Sequence, residues 1–225
     1  MKRIITLFVA ISLIFSLGLN LTSCDREYDE AEVKAAAEVL IEKSLFLNDI
    51  YWGKGIPYTP GLSSSLYCEA DFIALSVLGF TTVDELKAKT EEVFSENYCA
   101  DIYSTSFSSI KDGEEIQFYA RYYQKYEDEF QTEPICIMVY SRFENMIPDK
   151  VEYLYDTLTV THSEGETVYV KLQANVTRDE EHSQIREMVI GLVEEENGWR
   201  IDTPTYLKYN DRQEEYEDLQ DKKNK

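Results

Sequence analysis

Along residues 31–52 apolar side chains recur at three- and four-residue steps, as Val33, Ala36, Ala37, Leu40, Ile41, Leu45, Leu47 and Ile50, with Glu32, Lys34, Glu38 and Lys43 between them. This spacing puts one apolar stripe on a long helix. Asp29 is placed to cap its start, and Gly53-Lys54-Gly55-Ile56-Pro57 permits turns where the helix must stop. A loop through Thr59-Pro60-Gly61 follows, to about Ser65. Residues 67–80 suit either a strand or a short helix, with an extended start at Tyr67. Thr82-Val83-Asp84-Glu85 has the spacing of a capping box and predicts a helix over 83–94, with Leu86, Val93 and Phe94 inward. Ser95 offers a further cap, for a short helix through Asp101, Ile102 and Tyr103.

From Ile116 the apolar period shortens to two, which marks a change from helices to strands. The expected strands cover 116–125, 134–142 and 151–161. Val168, Val170 and Leu172 alternate with Tyr169 and Lys171 after a turn at Gly165, so the third and fourth strands form a hairpin. Arg186, Met188, Ile190 and Leu192 give a fifth strand, with Gly191 as a bulge position. Asn197-Gly198 tolerates positive φ at both residues and predicts a hairpin turn into Trp199 and Ile201, and Pro204 ends that strand. The fold class expected is α+β: a long N-terminal helix packed in a curved antiparallel sheet of five to six strands, one domain over residues 31–206. Residues 207–225 read as a charged tail, frayed or disordered.

Charge removes one class of partner. The 225 residues hold 43 Asp plus Glu against 22 Lys plus Arg, a net charge of −21, so a nucleic acid would approach against the protein's own field. Nucleic-acid binding is set aside. Hydrophobic residues at 44% suffice for a core.

The first residues carry an address. Lys2 and Arg3 precede an uncharged run over 4–21 that closes on Leu21-Thr22-Ser23-Cys24, the pattern of an export signal. An uncleaved anchor helix is the competing reading, since eighteen uncharged, mostly apolar residues barely span a bilayer. Leu21-Thr22-Ser23-Cys24 resembles the lipobox of bacterial lipoproteins. The resemblance implies that residues 1–23 are a signal peptide, that the Cys24 thiol carries a diacylglyceryl group, and that residues 24–30 form an acidic tether. It places the protein on the extracytoplasmic side of the cell membrane, since two acyl chains give stable anchoring. Loss of Lys2 and Arg3 takes the net charge to −23, so the lipid and not charge must hold the protein to the membrane. Asp25 resembles the inner-membrane retention signal of some Gram-negative lipoproteins, which leaves the leaflet open.

The element order, closing on Gly198-Trp199-Arg200-Ile201-Asp202, is similar to the nuclear transport factor two-like superfamily, which includes ketosteroid isomerases and SnoaL-like cyclases. The resemblance covers residues 31–206 by element order and implies a cone-like sheet around the first helix with a cavity at its wide end. Residues 104–150 exceed what compact members require. A cystatin-like helix-plus-sheet domain and a two-domain split near residue 105 are the structural alternatives. On the cone reading Tyr51, Trp52, Tyr67, Tyr98 and Trp199 are candidates for the cavity wall, where a ring offers apolar area and a polar tip.

Reactive motifs are sparse. Cys68, Cys99 and Cys136 remain after Cys24, and the favoured reading is buried thiols rather than a disulfide. His162, at a hairpin end, and His182, opening a strand, read as surface residues, and two histidines do not make a zinc cage. Ser108-Ser109-Ile110-Lys111 lacks the companion motifs of penicillin-interacting enzymes, and Gly53-Lys54-Gly55 lacks those of a phosphate loop. Acid runs at 179–181 and 194–196 lack the alternating calcium-loop pattern. No catalytic residue, metal or cofactor is assigned. The expected function is a lipid-anchored, non-catalytic module binding a small apolar ligand, a peptide or an envelope protein. The alternatives are a small acid–base enzyme, isomerase- or dehydratase-like, in the cone cavity, and a structural component of an envelope complex.

Overall fold

A computed structural model describes residues 28–60, 65–112, 115–126, 136–147, 150–179 and 182–206. Helix α1 (Glu30–Trp52) begins where the Asp29 carboxylate accepts from the Ala31 amide at 2.8 Å, and Glu30 and Glu32 place negative charge on its first turn. It ends at Gly53, whose amide donates to the carbonyls of Asn48 and Asp49. Strand β1 (Tyr67–Glu69) leads at once into α2 (Phe72–Leu78), capped by Asp71 and closed by Gly79 at φ 76°, so the 67–80 segment is both strand and helix. Helix α3 (Val83–Glu91) carries the Thr82/Glu85 capping box. It stops short of the expected residue 94 because Val93 and Phe94 leave the helix to pair with the last strand, the Ile201 amide donating to the Val93 carbonyl at 2.9 Å. Helix α4 (Glu96–Ser106) follows from the Ser95 cap.

The strands are β2 (Ile110–Asp112), β3 (Glu115–Phe118), β4 (Tyr122–Lys125), β5 (Cys136–Tyr140), β6 (Lys150–Glu164), β7 (Thr167–Asp179), β8 (His182–Glu195) and β9 (Gly198–Ile201). All pairings among them are antiparallel, and the class is α+β. They divide into a four-stranded sheet, β6-β7-β8-β9, a three-stranded sheet, β1-β5-β4, and the hairpin β2-β3. One sheet of five to six strands is not what the described residues form. The strand expected over 116–125 breaks at Ala120-Arg121, so that β3 pairs with β2 while β4 pairs with β5. The turn at Asn197-Gly198 joins β8 to β9, with Gly198 at φ 100°.

Helix α1 lies against β6 and β9. Its buried Val33, Ala37, Leu40, Ile41 and Leu47 share a core with Val168, Val170 and Leu172 of β7 and Met188, Ile190 and Leu192 of β8. Two polar side chains sit in this apolar stripe, Ser44 and Asn48, and both reach Thr205, at 2.7 and 2.9 Å between side-chain atoms. The Tyr153 hydroxyl of β6 donates to the Thr205 carbonyl, so the residues just after β9 are tied both to that strand and to the helix.

The other sheet reaches the carbonyl end of the same helix. The Tyr122 hydroxyl, fully buried, donates to the Ile50 carbonyl at 2.7 Å and accepts from the Ile56 amide at 3.2 Å. The neighbouring Arg121 donates from Nη2 to the Gly53 carbonyl at 2.7 Å and stacks 3.6 Å from the Phe143 ring centre. No basic residue stands in the last turn of α1, so Arg121 supplies from β4's edge the cation that a helix C-terminus favours. Its Nε and Nη1 are buried without a partner, and burial lowers its pKa against the pull of Tyr122 and Asp49.

Tyr122→Phe leaves a buried carbonyl and a buried amide unsatisfied, and is expected to cost about 1–3 kcal/mol in urea unfolding. Thr82→Ala, at the exposed capping box, is expected to cost about 1 kcal/mol. Equal urea midpoints for Tyr122→Phe and the unsubstituted protein would remove Tyr122 from this role.

Candidate functional site

Alternation along the last hairpin sends its side chains to two sides. Glu194 faces Trp199 across the ladder and Val193 faces Arg200, so Trp199 and Glu194 share one face while Arg200 and Glu195 share the other. A cavity lies on each side.

On the Trp199 side, a cavity of about 240 Å³ opens where α1 begins, lined by Tyr28, Asp29, Glu32, Glu166, Glu194 and Trp199 among others. The Trp199 indole donates to Glu32 Oε1 at 3.3 Å, and Asp29 is already committed to the amides of α1. On the Arg200 side, a cavity of about 540 Å³ lies between the end of α3, the first turns of α4 and the hairpin. Phe94, Cys99 and Ala100 give it apolar wall; Glu91, Glu96, Glu195, Tyr103, Asn197 and Arg200 give it polar wall.

Backbone contacts hold the charged groups of the larger cavity. Arg200 donates from Nε to the Glu91 carbonyl at 2.8 Å, which caps α3, and from Nη1 to the carbonyls of Trp199 at 2.8 Å and Asn197 at 3.4 Å. Glu195 Oε1 accepts from the Glu96 amide at 3.0 Å, at the positive end of α4. The Tyr103 hydroxyl is shared between the Lys87 carbonyl at 3.1 Å and Glu91 Oε1 at 3.2 Å, and Lys87 Nζ stands 5.2 Å from the Tyr103 ring centre. Burial pushes the Tyr103 phenol far up. The Cys99 thiol reaches the Phe94 carbonyl at 3.6 Å, and burial pushes its pKa up to about 11, with Glu91 and Glu195 adding to the rise and Tyr103 and Arg200 opposing it. Such a thiol is a structural group, because the thiolate is the nucleophile.

The five aromatics expected in a cavity wall are placed as follows. Trp199 lines the smaller cavity. Tyr51 is buried, its hydroxyl 2.8 Å from Thr90 Oγ1, and burial raises its pKa strongly. Trp52 is partly buried, its ring centre 5.2 Å from that of Tyr206. Tyr98 is buried, packs edge-on to Phe94, and its hydroxyl faces that of Tyr206 without a well-formed hydrogen bond. The Tyr67 hydroxyl donates to the Ala120 carbonyl at 2.7 Å, and its ring sits against Tyr123 and Tyr140. Tyr206 thus touches two of the five. Cys24, the expected lipid attachment, lies outside the described residues.

Cys68, Cys99 and Cys136 form no disulfide with one another; Cys68 and Cys99 are buried and Cys136 partly so. His162 belongs to β6, not to the turn after it, and stacks on its cross-strand partner Tyr169 with ring centres 4.6 Å apart. Among the described residues no three His, Cys, Asp or Glu side chains converge as a metal group would require. The sequence reading gives Arg200, Glu91, Glu96 and Glu195 no place in a cavity; the spacing of four between Cys99 and Tyr103 puts those two on one helix face and is the one local sign of this wall.

A thiol raised from 9.0 to about 11 holds at pH 8 about a hundredth of the thiolate of an ordinary cysteine. Alkylation of Cys99 by iodoacetamide, followed by peptide mass spectrometry, is therefore expected to be about a hundredfold slower than that of glutathione. The same shift removes stability as pH rises from about 9 to about 11, where the unfolded thiol ionises and the folded one does not. Alkylation at the glutathione rate would show the thiol to be unperturbed. Comparison with known proteins finds no matching family model, no matching curated sequence and no matching solved structure.

Proposed function

We propose that this protein is a lipid-tethered, extracytoplasmic, non-catalytic binding module of the bacterial cell membrane. The lipobox-like Leu21-Thr22-Ser23-Cys24 supports the tether, and no described helix is long and apolar enough to cross a membrane. On this reading α1 with β6–β9 is the cone-like arrangement of the nuclear transport factor two-like superfamily, and β1, β4 and β5 form an added sheet. What carries the binding role is the pair of cavities flanking the last hairpin, walled by aromatic rings and charged groups held by backbone contacts. Such preformed concavities with a few fixed polar groups are the usual form of a ligand site.

The acid–base alternative draws on Glu91 and Tyr103, 3.2 Å apart at the rim of the larger cavity. A general base of tuned proton affinity calls for burial, and Glu91 is exposed. The assembly alternative draws on α2, where Phe72, Ile73 and Val77 are 72%, 74% and 82% exposed. Three such side chains on one short helix form an apolar patch of the kind that marks interaction sites.

Membrane fractionation of the natural protein and of Cys24→Ser, with mass spectrometry of the Cys24 peptide, tests the anchor. The natural protein is expected in the membrane fraction, released by detergent alone, with a diacylglyceryl group on Cys24. Cys24→Ser is expected to lack the lipid and to keep residues 1–23. A bare Cys24 thiol in the natural protein sinks the proposal.

A further inference from the structure

Arg200 is a half-buried cation in a chain with nearly twice as many acids as bases, and among the described residues it forms no ion pair with any of them. Its hydrogen bonds all go to backbone carbonyls, those of Glu91, Asn197 and Trp199, although Glu91, Glu96 and Glu195 border the same cavity. A neutral carbonyl orients a guanidinium but leaves its charge in place, and Nη2 has no acceptor among the described residues. The planar guanidinium is suited to a carboxylate, which brings both the negative charge and a second acceptor.

The carboxylates are fixed in a complementary way. Glu195 is held on the Glu96 amide and Glu91 on the Tyr103 hydroxyl, and neither is paired with Arg200. A simple anion entering this space meets three carboxylates, and a simple cation meets Arg200. A molecule carrying both charges satisfies both walls. The apolar wall of Phe94, Cys99 and Ala100 adds room for a small side chain, and about 540 Å³ falls within the range of small-ligand pockets.

From this arrangement we infer that the larger cavity binds a zwitterion of the amino-acid kind, its carboxylate on Arg200 and its ammonium on Glu96 and Glu195. The inference rests on the binding-module reading and names its ligand class. A free amino acid and a short peptide share this chemistry and differ in the separation of the two charges.

Calorimetric titration of the full chain in detergent decides it, with L-alanine and L-alanyl-L-alanine as zwitterions and N-acetyl-alanine and alanine amide as single-charge controls. At least one zwitterion is expected to bind, and each control about tenfold more weakly or not at all. The tighter of the two zwitterions separates amino acid from peptide. Arg200→Gln is expected to weaken binding about tenfold or more. Because Arg200 also caps α3, Arg200→Lys and the exposed Glu96→Gln serve where Arg200→Gln fails to fold; Arg200→Lys should retain part of the affinity and Glu96→Gln should lose part. Controls that bind as tightly as the zwitterions, or full affinity in Arg200→Gln or Glu96→Gln, overturn the inference. If no probe binds while a broad ligand library still raises the melting temperature, the zwitterion assignment alone falls. If neither binds, the binding-module reading falls with it.

Discussion

The carbonyl end of α1 is the point on which the arrangement of the two larger sheets depends. A helix leaves its last carbonyls unpaired, and α1 has no basic residue of its own near them. Arg121, just before β4, and Tyr122, its first residue, answer for the carbonyls of Gly53 and Ile50. Since α1 also lies along β6 and β9, the helix is the member that the four-stranded and three-stranded sheets have in common. Burying a guanidinium with two unpartnered nitrogens is unfavourable, and the Gly53 carbonyl, the Phe143 ring and the charge of Asp49 offset part of that cost.

Signals that act within a few residues were legible in the sequence. Asp29, Thr82 with Glu85, Ser95 and Asn197-Gly198 each work through a contact that short spacing enforces, and each stands where its element starts or turns. The division into sheets was not legible, because it is settled by distant partners. Alternation over 116–125 is continuous in sequence, yet Arg121 and Tyr122 are drawn to α1 and the strand parts there. Strand β1 has three residues, too few for a period to announce it.

The candidate site divides along the same line. Trp199 could be marked because it follows a recognisable turn. The cavity beside Arg200 is assembled from the end of α3, one face of α4 and the hairpin, three segments whose proximity no local pattern encodes. What joins them is again main-chain chemistry: a guanidinium on the carbonyl of Glu91 and a carboxylate on the amide of Glu96. Charge in this acidic chain is therefore used twice, once to end or begin a helix and once to face a cavity.

Thr205 has a bearing on when the molecule can become itself. Ser44 and Asn48, within the buried stripe of α1, take their tertiary partner from a residue more than 150 positions later. A polypeptide is made from its amino end, so through most of synthesis Asn48 lacks its Thr205 partner and the Ser44 hydroxyl has only the Ile41 carbonyl of its own helix, at 2.7 Å, to bond. The buried face of α1 therefore gains its last side-chain partners only once the residues after β9 have been made, and a chain cut short before Thr205 would leave two polar groups of that face without them.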